Sequence, residues 1–181
     1  MSGANLVKAD LKNIDLSGAD LSGAKLDGAD LTNTKLVPSN LTNASFEGTI
    51  FNTTNLTSAN LSGVVLNKAK ELSALKLNKA NLKDVKLNGV QVWGDFKEAD
   101  LSNADFSDAN LRNETWGRSS LSKANLSGAN LSGANLTGVY FAGTNLSKAN
   151  LKSSKLSYGS FSKSPEPILK GTIMPDGKVH E

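Results

Sequence analysis

Apolar side chains recur at every fifth position along most of this chain. Leu6, Leu11, Leu16, Leu21, Leu26, Leu31, Leu36, Leu41, Phe46, Phe51, Leu56, Leu61 and Leu66 keep one register without a gap. The register shifts by one residue through Leu77, Leu82, Leu87 and Val92 and returns at Phe96. It then holds through Leu101, Phe106, Leu111, Trp116 and Leu121 as far as Phe161. A small residue lies two positions before most centres, as at Ala4, Ala9, Ala19, Ala99 and Ala124, and Asn or Asp commonly lies between the two, as at Asp20, Asn60, Asp100 and Asn130. Five residues advance an α-helix by about 500°, so helical leucines would wind around the axis without forming a stripe. On a strand, an odd period sends successive leucines to opposite faces. All the centres share one interior only if the chain bends once in every five residues. Glycine at the fifth position (Gly18, Gly23, Gly28, Gly128) and Asn or Asp before the centre tolerate such bends. A bend of about 90° closes a square coil in four such units, and stacked coils pair their backbones at about 4.8 Å. The pattern predicts an all-β solenoid.

In such a solenoid the centres stack in columns, predicting Phe141 on Phe161, Leu101 with Leu121, and Phe96 near Trp116 with Leu136 beyond. Each buried centre contributes about 1.5–3 kcal/mol before ordering entropy is subtracted. Three segments break the pattern. Asn67–Leu75 adds a residue to the register and Val92–Phe96 removes one, and each predicts a bulge or short loop at a coil corner, a place where rigid scaffolds often carry function. In the third, Glu114 falls on an inward position between Arg112 and Arg118, the only two arginines, which predicts an outward bulge or an ion pair. Residues 164–181 leave the repeat. Pro165 and Pro167 stop the coil, and Pro175-Asp176-Gly177 is a turn signal between short apolar runs. The expected organisation is a solenoid over 1–163, with register slips near 67–76 and 92–96, and a capping tail over 164–181.

Ala19-Asp20-Leu21-Ser22-Gly23 and the run from Ala124 to Gly138, Ala-Asn-Leu-Ser-Gly followed by near copies, resemble the pentapeptide-repeat proteins. The resemblance covers roughly residues 2–163 and rests on some thirty tandem copies. It implies a right-handed quadrilateral β-helix of about eight coils, about 40 Å long at strand spacing. The centre and the small residue before it face inward, and the other three positions face solvent. The tail is similar to those of some cyanobacterial members.

Composition narrows the chemistry. The 181 residues contain no cysteine, and the single histidine, His180, lies in the tail, which leaves no thiolate or imidazole for a metal, a triad or a nucleophile in the repeat. The expectation is no enzyme, no cofactor and no metal. Carboxylates paired at the repeat interval, such as Asp10 with Asp30, arise from the repeat itself. No apolar run is long enough to span a membrane, and Met1–Leu6 has no secretory character, so a cytoplasmic location is expected.

Charge is uneven. The net is −2 over residues 1–66, +4 over 67–92 and +1 beyond, giving +3 overall and a pI near 9.0. Some pentapeptide-repeat proteins are acidic rods resembling DNA that occupy gyrase or topoisomerase. A basic chain has the wrong sign for that mimicry. Six lysines between Lys68 and Lys86 fall within about one coil, so they are expected to girdle the rod, and DNA binding is not expected. The leading reading is a non-enzymatic scaffold with an unknown protein partner. The alternative is a nucleic-acid regulator such as a gyrase-interacting protein. Candidate partner-binding residues are Trp93, Arg112, Glu114, Trp116, Arg118, Lys76, Lys79, Lys83 and Lys86. Nothing resembling a cap precedes the first repeat. An end-to-end homodimer is one expectation from this, and excision from a longer chain is the other.

Overall fold

The computed structural model describes residues 1–112, 119–161 and 164–181. The bend in most described repeats is a four-residue turn. Ala9 N–H donates to Leu6 C=O at 3.1 Å and Ala24 N–H to Leu21 C=O at 3.0 Å, and the third residue of the turn takes a left-handed φ, as at Lys8 (57°) and Gly23 (65°). This is the signature of a type II turn, which explains the glycines two places after the centres. An Asn or Asp before the centre closes the bend with its side chain, as when Asp30 Oδ1 accepts from Thr32 N–H at 3.0 Å.

Between turns the backbone bonds to the neighbouring coil. Leu6 N–H donates to Lys25 C=O at 2.8 Å, and Lys25 N–H returns a bond to Ala4 C=O at 2.9 Å. The resulting parallel pairs, Asn5 with Lys25, Asp10 with Asp30, Asp15 with Lys35 and Asp20 with Asn40, recur at four-repeat intervals along the chain. No helix occurs among the described residues, and the fold is β-helix-like. From Leu21 to Leu151 the described centres are buried, and most of the slots two positions before them hold buried Ala, Val, Thr or Ser. Where the slot holds threonine, its hydroxyl donates to a centre carbonyl of the preceding coil: Thr34 to Leu11 at 2.7 Å, Thr54 to Leu31 at 2.8 Å and Thr144 to Leu121 at 2.7 Å. A polar atom is thereby tolerated in a dry core. The interior is narrow enough for centres two repeats apart to touch across it, as Phe96 and Phe106 do edge to face at 6.5 Å.

Phe141 packs on Phe161 at 5.5 Å, as the spacing predicts. The predicted column of Leu101 with Leu121 does not form. Asp95 pairs with Ser120 and Asp100 with Asn125, an interval of five repeats, which aligns Phe96 with Leu121 and Leu101 with Leu126. The chain carries one repeat too many between Leu111 and Ser119 for the ordinary interval. Ser119 resumes the inward slot, its hydroxyl donating to Leu111 C=O at 2.9 Å. Trp116, expected beneath Phe96, lies outside the described residues.

The two one-residue slips meet each other. Residues Leu72–Lys76 (β1) and Val92–Asp95 (β2) are parallel neighbours, with Leu72 opposite Val92 but Leu75 opposite Gly94. Three steps on β1 thus face two on β2, a bulge that absorbs the surplus residue. Ala74 at φ 51° makes the kink that returns Leu75 to the interior. The segments expected as corner irregularities are therefore a paired, bulged strand face.

The two ends differ. Leu6, Leu11 and Leu16 are only partly buried, and Ile14, in a slot otherwise held by small residues, is 44% exposed. At the other end the tail continues the ladder: Asn145 pairs with Ile168 and Asn150 with Ile173, and Ile173 pairs back with Val179. Thr172, fully buried, donates to Leu146 C=O at 2.6 Å, the role Thr34 and Thr54 play within the repeats.

Candidate functional site

The bulged strand face departs from the repeat surface. Trp93 replaces the Ser, Thr or Lys usual after a centre, and its neighbour Gly94 is held against β1. A Cβ on Gly94 would meet Leu75 backbone and its Cβ at 2.9 Å or less, so the two strands approach closely there only because this residue has no side chain. Trp93 is half-buried, and grooves of about 670 and 280 Å³ adjoin it. Asn52, Thr53 and Ala74 line the larger, Lys70, Leu72 and Gln91 the smaller, and Glu71, Ser73 and Trp93 belong to both. Ser73 Oγ lies 2.6 Å from Glu71 Oε1 and 3.2 Å from Asn52 Oδ1. Sequence reasoning names Trp93 here but misses Glu71, Ser73 and Asn52. A surplus residue at Asn67–Leu75 was visible, but not which coil position it would bring beside the indole.

The four candidate lysines do not form one patch. Lys76 lies in the column of Lys35, Asn55 and Asp95, whereas Lys86 lies two columns away between Val65 and Asp105. Lys79 pairs with Glu98 at 3.8 Å. Lys83 is exposed beside Asp84. Each cation thus has an acid close in sequence or in an adjoining coil. Arg112 is exposed, its N–H held by Asn110 Oδ1 at 3.1 Å. Glu114, Trp116 and Arg118 lie outside the described residues, so the expected bulge or ion pair at Glu114 does too.

Asp10 and Asp30 do stand side by side, and Lys12 reaches both, at 3.3 and 3.9 Å. Hydrogen bonds from Thr32 hold the Asp30 carboxyl below its ordinary value, and the Lys12 charge adds to this. Hydrogen bonds from Ser17 and Ser22 likewise lower Asp15 and Asp20. These are carboxylates kept ionised, the opposite of what a general acid requires. Among the described residues no helix is long and apolar enough to cross a membrane.

Comparison with known proteins agrees with this geometry. The profile of pentapeptide repeats matches in eight copies over residues 1–36, 39–70, 95–113 and 117–162, and the gaps between copies include the bulged strand face. No curated protein matches the chain in sequence. Among solved structures, HetL, a pentapeptide repeat protein involved in heterocyst differentiation regulation from the cyanobacterium Nostoc sp. strain PCC 7120, is 25% identical with a TM-score of 0.67, over 98% of this chain and 92% of HetL. QnrB1, a plasmid-mediated fluoroquinolone resistance protein, is 14% identical at a TM-score of 0.40, over 90% of this chain and 91% of that one. A thylakoid-lumen pentapeptide repeat protein of Arabidopsis thaliana is 22% identical at 0.29, over 78% and 70%. A period of five, a turn with one left-handed residue in most described repeats and a parallel ladder at mostly four-repeat intervals agree with the profile match: the chain belongs to the pentapeptide-repeat family.

Proposed function

We propose that this chain is a non-enzymatic protein-interaction scaffold. Its body is a right-handed quadrilateral β-helix of about eight coils over residues 1–163, with 164–181 as a cap on the last coil, and it docks an unidentified protein on its outer faces. The observation that carries this reading is the division of labour along the repeat. Side chains fill the interior, and the described outward positions stand on a ladder-bonded frame, so the surface they form is a rigid platform for docking. The involvement of HetL in the regulation of heterocyst differentiation, over a match to nearly the whole length of this chain, supports a regulatory scaffold here too. The half-buried indole and the adjoining grooves make the β1–β2 face the first choice for docking. The partly buried leucines of the first coil favour a second copy of the chain stacking there as a further contact.

The nucleic-acid alternative gains nothing from the surface. A DNA mimic needs an unbroken acidic face, whereas here lysines sit among the acids, as Lys12 does beside Asp10 and Asp30 and Lys35 beside Asp15. Chemical cross-linking of the full chain in extract of its host tests the scaffold. A saturable cross-linked partner, displaced by unlabelled chain, is expected, and supercoiling by gyrase is expected to be unchanged at about micromolar protein. The reading falls if no partner saturates, or if supercoiling is inhibited at that concentration.

A further inference from the structure

We propose that the cleft between Trp93 and Glu71 receives an arginine side chain from an exposed segment of a partner protein. This deepens the scaffold reading and rests on it for the existence of a partner. Five described carboxylates of the solenoid pair with cations: Asp10 and Asp30 with Lys12, Asp15 with Lys35, Glu47 with Lys68, and Glu98 with Lys79 and Lys97. Glu71 has no cationic partner among the described residues. It is nevertheless oriented, because Ser73 Oγ holds Oε1 at 2.6 Å and leaves Oε2 open. Lys70, next to it in sequence, lines the smaller groove and not the larger. Beside this carboxylate stands an indole that is half-buried and makes neither a ring contact nor a hydrogen bond among the described residues. A fixed carboxylate and a free aromatic surface share one pair of grooves, and Asn52 lines the larger.

That combination selects among ligands. Indole is the strongest aromatic acceptor of a cation. A guanidinium is planar and weakly hydrated, so it can lie against the ring while its edge pairs with a carboxylate. An ammonium is compact and strongly hydrated and gains less from a flat surface. The frame beneath is fixed: Leu72 and Leu75 are buried, and Gly94 is pressed on β1. The receptor therefore loses little entropy on binding. The groove of about 670 Å³ has room for a side chain together with the short backbone segment that carries it.

The test uses the full chain carrying Trp116→Phe, which leaves Trp93 as its only indole, titrated with acetyl-Gly-Arg-Gly-amide and with its lysine counterpart. The indole N–H resonance of Trp93 in the unsubstituted chain gives an independent readout. The arginine peptide is expected to shift Trp93 emission saturably in about the millimolar range, about tenfold more tightly than the lysine peptide. Glu71→Gln is expected to weaken it about tenfold without altering the melting temperature. Equal affinity for the two peptides, insensitivity to Glu71→Gln, or failure to saturate each overturns the proposal. If the peptides fail while the cross-linked partner remains, only the arginine site falls. If the partner is absent too, both readings fall.

Discussion

Most described repeats ask one residue to adopt a left-handed backbone, and the chain meets that demand with residues of unequal suitability. Glycine and asparagine fill many of these sites, but Thr53 occupies one at φ 54°. A β-branched side chain is poorly suited there, and the strain is on the order of 1 kcal/mol. Thr53→Gly should therefore raise the melting temperature by about 2–4 °C, the usual conversion for a domain of this size. A lower melting temperature in calorimetry would show that the bond from Thr53 Oγ1 to Asn52 C=O, 2.7 Å long, outweighs the strain. Gly94 is required for a different reason. Its φ is not left-handed, and the constraint is the Leu75 backbone against it. Gly94→Ala should cost about 1–3 kcal/mol in denaturant unfolding, by forcing the strands apart. A neutral result would mean that β1 and β2 can separate freely.

A coil gains stability from stacking, so an inward charge is felt beyond its own repeat. Leu131 is fully buried, whereas Ser132 is half-exposed and its hydroxyl donates to Asn130 Oδ1 at 2.8 Å. Leu131→Asp should cost on the order of 4 kcal/mol or more, and Ser132→Asp about 0.5 kcal/mol or less. Equal losses in urea denaturation would overturn the inward and outward assignment. That assignment could be read from the sequence because the period of five leaves only one geometry in which Leu121, Leu126, Leu131 and Leu136 share an interior. The stacking partners were not legible across the stretch between Leu111 and Ser119. An insertion of one whole repeat preserves the period, so the pattern around Leu101 and Leu121 looks undisturbed while their alignment has moved. The one-residue slips near Leu75 and Val92 leave a visible mark, but nothing local tells that one is paired against the other. Glu71 was equally hidden as a neighbour of Trp93, since the two meet only through that pairing.

For the molecule as a whole, charge has two expected consequences. Asp15, Asp20 and Asp30 have lowered pKa values in the folded chain, through hydrogen bonds from Ser17, Ser22 and Thr32 first and nearby cations second. The stability they contribute is present in full above the ordinary carboxylate value of 3.8 and is lost as pH falls through the lowered folded values. The melting temperature should be flat on the neutral side and fall on that acid limb, and the fall should be shallower in Asp15→Asn combined with Asp30→Asn. An identical acid limb in the double variant would refute this. The lysines at 76, 79, 83 and 86 stand in different columns beside acids, so duplex DNA should bind weakly at low salt and not at physiological salt, as read by fluorescence anisotropy. Tight binding that survives salt and is lost when the four become Gln would contradict it. The surplus repeat before Ser119 also sets the phase of the surface. Because paired positions are normally four repeats apart, an insertion of one repeat advances everything after it by one column. It brings Asn125 over Asp100 and Asn130 over Asp105, where their amides donate to the carboxylates at 3.1 and 3.2 Å. Whole repeats gained or lost at such a point turn the downstream half like a dial, placing a different face beside Trp93 and Glu71 while the interior keeps its packing.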